Sequence, residues 1–178
     1  MRIVGVYYIH TELKEFRHSY DLSFISYFNR NSVHELLNEF VLAAADSLEV
    51  EPCRKIFEHE DVILACHRVG PIVAILATDL EYPSRISFEL LRRVHEDSSD
   101  VHLSNIVKQC QDPATVDALI RVQQQLDETL VIMHENVNKI LARGDSIDAL
   151  VEKSERLSQQ SKMFYKVARK HNRCCNVQ

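Results

Sequence analysis

Three groups of residues in this chain could carry chemistry: a thiol near imidazoles, a pair of thiols at the end of the sequence, and an arginine set in an apolar stripe. His59, Cys66 and His67 lie close together, and a thiol beside an imidazole can form a nucleophilic pair. The run from Val62 to Val69 has the composition of a strand, however, and alternate strand residues face opposite ways. Cys66 and His67 are therefore expected back to back, a core cysteine beside a solvent-facing histidine. No nucleophile elbow, phosphate-binding loop, dinucleotide fingerprint or zinc-ligand spacing occurs in the 178 residues. No catalytic residue, cofactor or metal site is expected, and the chain does not read as an enzyme. The five cysteines are odd in number, and Cys53, Cys66 and Cys110 are scattered, as reduced buried thiols of a cytosolic protein would be.

The second group is Cys174-Cys175. Cys175 is followed by Asn176, Val177 and Gln178, the spacing of a C-a-a-X prenylation box, and a terminal Gln favours farnesyl. Asn176 departs from the aliphatic preference of that position. Cys174 beside it suits S-palmitoylation, and Lys162, Lys166, Arg169, Lys170 and Arg173 precede the pair with no acid among them. One lipid chain binds a bilayer only marginally, so farnesyl at Cys175 with either palmitoyl at Cys174 or the basic patch is the expected anchor. No apolar run approaches the about 20 residues needed to span a bilayer. The start carries neither a signal peptide nor a myristoylation glycine.

The third feature is Arg143. Alternating steps of three and four residues lead through Leu119, Val122, Leu126, Thr129, Met133, Asn136, Ile140, Arg143, Ile147, Leu150, Ser154, Leu157, Ser161, Phe164, Ala168 and His171. Ten of these sixteen are apolar, enough for the seam of a left-handed coiled coil, since a mean step of 3.5 keeps one stripe on a partner. As one helix the stretch would be roughly 80 Å long, too long to fold back on a domain of this size. External partners are expected. In a homodimer two Arg143 cations would meet desolvated in the seam, at a cost of several kcal/mol. Partners offering oxygen acceptors remove that cost, so Arg143 sets register and partner class. Small Ser154, Ser161 and Ala168 alternating with Leu157 and Phe164 suit a bundle of more than two helices.

The elements that must position these groups begin with a compact N-terminal half. Of the net charge of −5, residues 1–113 hold −7 and the remainder +2; an acidic globular half argues against a nucleic-acid partner. Ile3 to Ile9 reads as a buried strand, with a second strand within Phe16 to Tyr20. Ser32 and Glu35 have capping-box spacing ahead of a helix whose inward face is Val33, Leu36, Leu37, Phe40, Val41, Ala44 and Leu48. Strands follow at Arg54–His59, Val62–Val69 and Ile72–Thr78, the last two joined at Gly70-Pro71. A second helix runs from Glu81-Tyr82-Pro83-Ser84-Arg85 to about His95. Residues 96–113 carry a short amphipathic piece (Val101, Leu103, Ile106, Val107). The expected class is α+β, one five-stranded antiparallel sheet with helices on its faces.

The order ββαβββα, the Glu81-Tyr82-Pro83-Ser84-Arg85 run, Leu126-Asp127-Glu128-Thr129, Ala142-Arg143-Gly144 and the Cys174-Cys175 ending together resemble the lipid-anchored longin R-SNAREs, relatives of synaptobrevin. The resemblance implies a profilin-like longin domain over 1–110, a SNARE coiled-coil motif over 114–173 and a lipidated tail over 174–178. It implies vesicle-mediated transport and membrane fusion in endoplasmic reticulum–Golgi, endosomal and vacuolar traffic, on the cytoplasmic side of those membranes with a cytosolic pool. The expected partners are three Q-SNARE helices, whose glutamines surround Arg143 in the zero layer between Ile140 and Ile147, and the membrane itself. A prenylated longin adaptor without fusion activity is the alternative. The resemblance also implies a longin domain that folds back on the SNARE segment and shelters the lipid. The first helix (Leu36, Phe40) and the sheet edge are the candidate docking surface, with the short link 96–113 expected to limit the wrapping.

Overall fold

The computed structural model describes residues 2–59, 62–112, 132–136, 140 and 146–174, with 171–174 as backbone only. The β-branched and aromatic runs of the first half form β1 (Ile3–His10), β2 (Glu15–Tyr20), β3 (Cys53–His59), β4 (Val62–Val69) and β5 (Ile72–Thr78). They make the expected five-stranded antiparallel sheet, in the order β2-β1-β5-β4-β3. Gly70, at φ 58°, takes the left-handed conformation that the β4–β5 turn requires.

Alternation sends side chains to two faces. Tyr7, Phe57, Leu64, Cys66 and Ile75 pack on one side beneath α1 (Arg30–Ser47), whose Leu36, Leu37, Val41 and Ala44 complete that core. Val6, Ile56, Ala65 and Leu76 pack on the other beneath α2 (Ser84–Glu96) and α3 (Asp100–Gln109). A register shift between Ile3 and Gly5 lets Val4 and Val6 face opposite sides. The Tyr82 hydroxyl donates to the Cys110 carbonyl at 2.7 Å, and the Gln111 amide exchanges two 2.9 Å hydrogen bonds with Ile3. Tyr82 thus ties the head of α2 to the end of α3, and Gln111 ties that end to the start of β1.

Four expectations need correction. Ser32 and Glu35 form no capping box: a 3-10 turn, Tyr27–Asn29, leads into α1 at Arg30, so Ser32 is inside the helix and buried. Arg30 holds this entry by donating to the carbonyls of Ile25 and Ser23 at 2.9 and 3.0 Å. His67 is not solvent-facing; α2 covers it, and the His95 ring stands edge-on at 4.7 Å. Val101 points outward, and Leu103, Ile106 and Val107 alone make the inner face of α3.

The fourth correction concerns the long helix. Within Leu119–His171 the described residues form β6 (Ile132–Asn136), α4 (Ile147–Lys153) and α5 (Gln159–Cys174). Serines interrupt the helical ladder. Ser146 Oγ accepts from the Ala149 N–H, Ser154 Oγ from the Arg156 N–H, and Ser158 Oγ from the Ser161 N–H, each at 3.2 Å, offering the backbone local partners in place of helical ones. Broken in this way, the segment returns to its own domain despite the short link. β6 pairs in parallel along β3, from Arg54↔Ile132 to Glu58↔Asn136, and makes the sheet six-stranded.

Candidate functional site

The feature with functional content is the surface between α1, the edge of β3 and the returning segment. Ile140, Ile147, Val151 and Leu157 enter the core beside Leu36, Leu37 and Val41. Val151 is 1% exposed. Burial of each of these side chains contributes roughly 1.5–3 kcal/mol before ordering costs. Phe164 and Tyr165 of α5 pack at the margin of the same cluster, as does Phe40. Both candidate docking elements, the first helix and the sheet edge, take part.

Polar contacts fix the orientation. The Glu35 carboxylate accepts from the Ser158 N–H at 2.9 Å, the Ser161 hydroxyl at 2.7 Å and the Asn31 amide at 3.0 Å. Burial pushes this carboxyl up, but those hydrogen bonds together hold it below its ordinary value. One turn further along α1, the buried Glu39 carboxylate faces Arg156 Nη1 at 3.6 Å. Helices α4 and α5 run side by side. Tyr165 donates to Asp148 at 3.2 Å, Lys166 pairs with Glu152 at 2.7 Å, and Arg169 pairs with Asp148. At the sheet edge, the buried Lys55 Nζ lies 3.8 Å from Glu49 and 3.9 Å from Glu135 of β6.

The heptad positions divide sharply. Ile140, Ile147, Ser154, Leu157 and Ser161 are buried, and Leu150 and Phe164 are half-buried. Met133, Asn136 and Ala168 are exposed. Leu119, Val122, Leu126, Thr129, Arg143 and Cys175 lie outside the described residues, as do the side chains of His171 and Cys174. Val151, Glu35, Glu39 and Arg156 were not singled out by the 3–4 stepping. For Val151 a signal existed in its i,i+4 relation to Ile147, whereas the sequence assigns Glu35 to a capping box and nothing in the spacing marks Glu39.

No reactive thiol pair exists at Cys66. Its side chain is buried on the α1 side of the sheet, and burial pushes the thiol well above its usual range. His67 lies on the other face, where burial, then the neighbouring His95 and Arg54, lower it to about 4. No helix among the described residues is long and apolar enough to cross a membrane.

The chain is similar to known proteins over most of its length. The synaptobrevin family model matches residues 118–178. The chain is 34% identical over 173 residues to synaptobrevin homolog ykt6 of Schizosaccharomyces pombe, covering 88% of each chain. It is 36% identical over 174 residues to synaptobrevin homolog YKT6 of Yarrowia lipolytica, covering 87% of each. It is likewise 36% identical over 174 residues to VAMP-like protein YKT61 of Arabidopsis thaliana, covering 88% of this chain and 87% of that one. With a two-faced α+β domain and a heptad segment in one chain, and relatives similar over 87–88% of each chain, this protein belongs to the synaptobrevin family of SNAREs, among the longin-bearing Ykt6 homologues that serve vesicle traffic and are not enzymes.

Proposed function

We propose that this R-SNARE alternates between the folded-back form described above and a zippered form in which residues 114–173 are one helix among three Q-SNARE helices. Residues 1–110 act as the longin domain and 174–178 as the lipidated tail. What supports the reading is that the stripe proposed to face partners is buried in the folded-back form. Ile140, Ile147, Ser154, Leu157 and Ser161 are the heptad positions that would face partner helices, and all five are buried, the three apolar ones in the core that α1 completes and Ser161 on Glu35 of α1. The two uses exclude each other, so the domain restrains assembly until partners compete for the stripe.

In the zippered form Arg143 lies in the zero layer, its guanidinium satisfied by partner glutamines, which removes the desolvation cost that a homodimer would bear. Leu119, Val122, Leu126, Thr129, Met133 and Asn136 form the layers before it, and Ile147, Leu150, Ser154, Leu157, Ser161, Phe164 and Ala168 those after. Zippering from the first layers towards Ala168 draws the tail, S-farnesylated at Cys175 and S-palmitoylated at Cys174, towards the partners' membrane. The site of action is the cytoplasmic face of Golgi, vesicle and endosomal or vacuolar membranes, with the folded-back form as the cytosolic pool. Mixing the full chain with three cognate Q-SNARE helices tests this. A helical, SDS-resistant four-helix complex is expected, and its absence would sink the proposal. Intact mass of the protein from cells tests the anchor: a chain retaining Asn176-Val177-Gln178 with no lipid would refute farnesylation.

A further inference from the structure

Helix α5 contains Lys162, Lys166, Arg169, Lys170 and Arg173 and no acidic residue. Alone, a helix of that composition would present a strongly basic surface to anything anionic. In the folded-back chain three of these cations are turned instead onto α4. Lys166 Nζ lies 2.7 Å from Glu152 Oε2, Arg169 is ion-paired with Asp148, and Lys162 Nζ donates to the Glu152 carbonyl at 2.8 Å. The pairing follows an antiparallel register, 148 with 169 and 152 with 166, with a cleft of about 360 Å³ between the two helices.

The pairs exist only while the chain is folded between α4 and α5. In one continuous helix Glu152 and Lys166 would stand roughly 21 Å apart along the axis, and Asp148 and Arg169 roughly 32 Å apart. Straightening the segment therefore separates every pair at once. Exposed ion pairs of this kind stabilise a fold little, so they do not lock it. What they change is the charge that the helix displays.

We propose that the α4–α5 hairpin is a charge mask over a membrane-binding surface: Asp148 and Glu152 neutralise Arg169 and Lys166 in the folded-back form while the Glu152 carbonyl holds Lys162, and straightening presents the two neutralised cations, with Lys162 and Lys170, to an anionic lipid bilayer. The basic helix ends at Cys174, where the lipid-bearing tail begins, which places the released charge at the bilayer surface. The −7 carried by residues 1–113 disfavours a nucleic acid as the occupant. The proposal rests on the membrane role argued above and adds to it a second membrane signal that depends on conformation.

The test uses the full-length chain without lipid modification. Binding is measured to phosphatidylcholine vesicles with and without phosphatidylserine, at low and high salt. Asp148→Asn with Glu152→Gln is compared with Glu12→Gln with Asp46→Asn, an equal change of net charge at exposed positions on the β1–β2 turn and the end of α1. At about 1 kcal/mol per released cation, the first variant is expected to bind phosphatidylserine vesicles about 30-fold tighter than the unmodified sequence. The gain disappears at high salt, is absent on phosphatidylcholine alone, and is reversed by adding Lys166→Gln and Arg169→Gln. Equal gains from both variants, or a gain on neutral vesicles, would overturn the mask. Assembly with Q-SNARE helices is read separately, so a chain that fails to zip yet shows the vesicle result refutes the fusion reading alone.

Discussion

Glu35 gathers three donors, two of them from the returning segment, and so ties α1 to the start of α5. Because those hydrogen bonds hold its carboxyl below the ordinary value, the stabilisation is present above the usual carboxylate range and is lost as pH falls through the lowered folded value. Glu35→Gln keeps the shape and loses the charge-assisted bonds. It should loosen α5 from α1 by about 1 kcal/mol at this half-exposed site, seen as faster amide exchange in Ser161–Tyr165 at neutral pH; unchanged exchange would refute it. The histidines behave oppositely in origin and alike in sign. His18 and His34 share one hydrogen bond at 3.1 Å between Nε2 atoms, joining β2 to α1, and both are lowered chiefly by burial, against weaker raising from Asp100 at His18 and from Glu35 at His34. His67 and His95 are lowered first by burial too. A lowered histidine favours the folded state above its ordinary value near 6.5 and ceases to do so as pH falls below it. The thermal midpoint should therefore fall between pH 7 and 5, and His34→Gln should flatten part of the slope; a wild-type midpoint level across that range would contradict the assignment. None of this could be read from residue types, because it depends on what α1 and α2 cover.

At the scale of elements, the strands and helices of residues 3–109 were legible because each obeys one period. Val62–Val69 is a short, largely apolar run of strand composition, Gly70-Pro71 turns, and Leu36, Leu37, Val41 and Ala44 fall on one helical face. The heptad segment obeys two rules at once. Its 3–4 spacing describes a helix that needs partners, while Ser146, Ser154 and Ser158 allow the same chain to break where none are present. Periodicity reports the first and is silent on the second. β6 was illegible for the same reason, since Ile132-Met133-His134-Glu135-Asn136 becomes a strand only because β3 offers a bare edge. The pairing can be tested in place. His134→Pro at the centre of β6 removes a backbone donor and fixes φ against strand geometry. It should raise amide exchange along Arg54–Glu58 while the five antiparallel strands stay protected. Exchange at β3 unchanged by the proline would show that β6 contributes nothing to that edge.

For the whole molecule, the proposed function implies a competition between two burials of one stripe, and the balance can be shifted at a residue that belongs to only one of them. Val151 is buried against the α1 core, yet it lies off the stripe that runs through Ile147, Leu150 and Ser154, so a bundle built on that stripe does not bury it. Val151→Asp places a charge in the folded-back core, where it lacks a partner, at a cost of at least about 2 kcal/mol. A cost of that size shifts the equilibrium towards the released segment about 30-fold. Assembly with three Q-SNARE helices should then quicken by a similar factor wherever release limits the rate, with the thermal stability of the finished complex unchanged. Leu157→Asp, which strikes both burials, should also release the segment and yet weaken the complex. Slower assembly by the Val151 variant, or equal weakening of the complex by both, would mean that the folded-back form does not compete with the bundle for the same stripe.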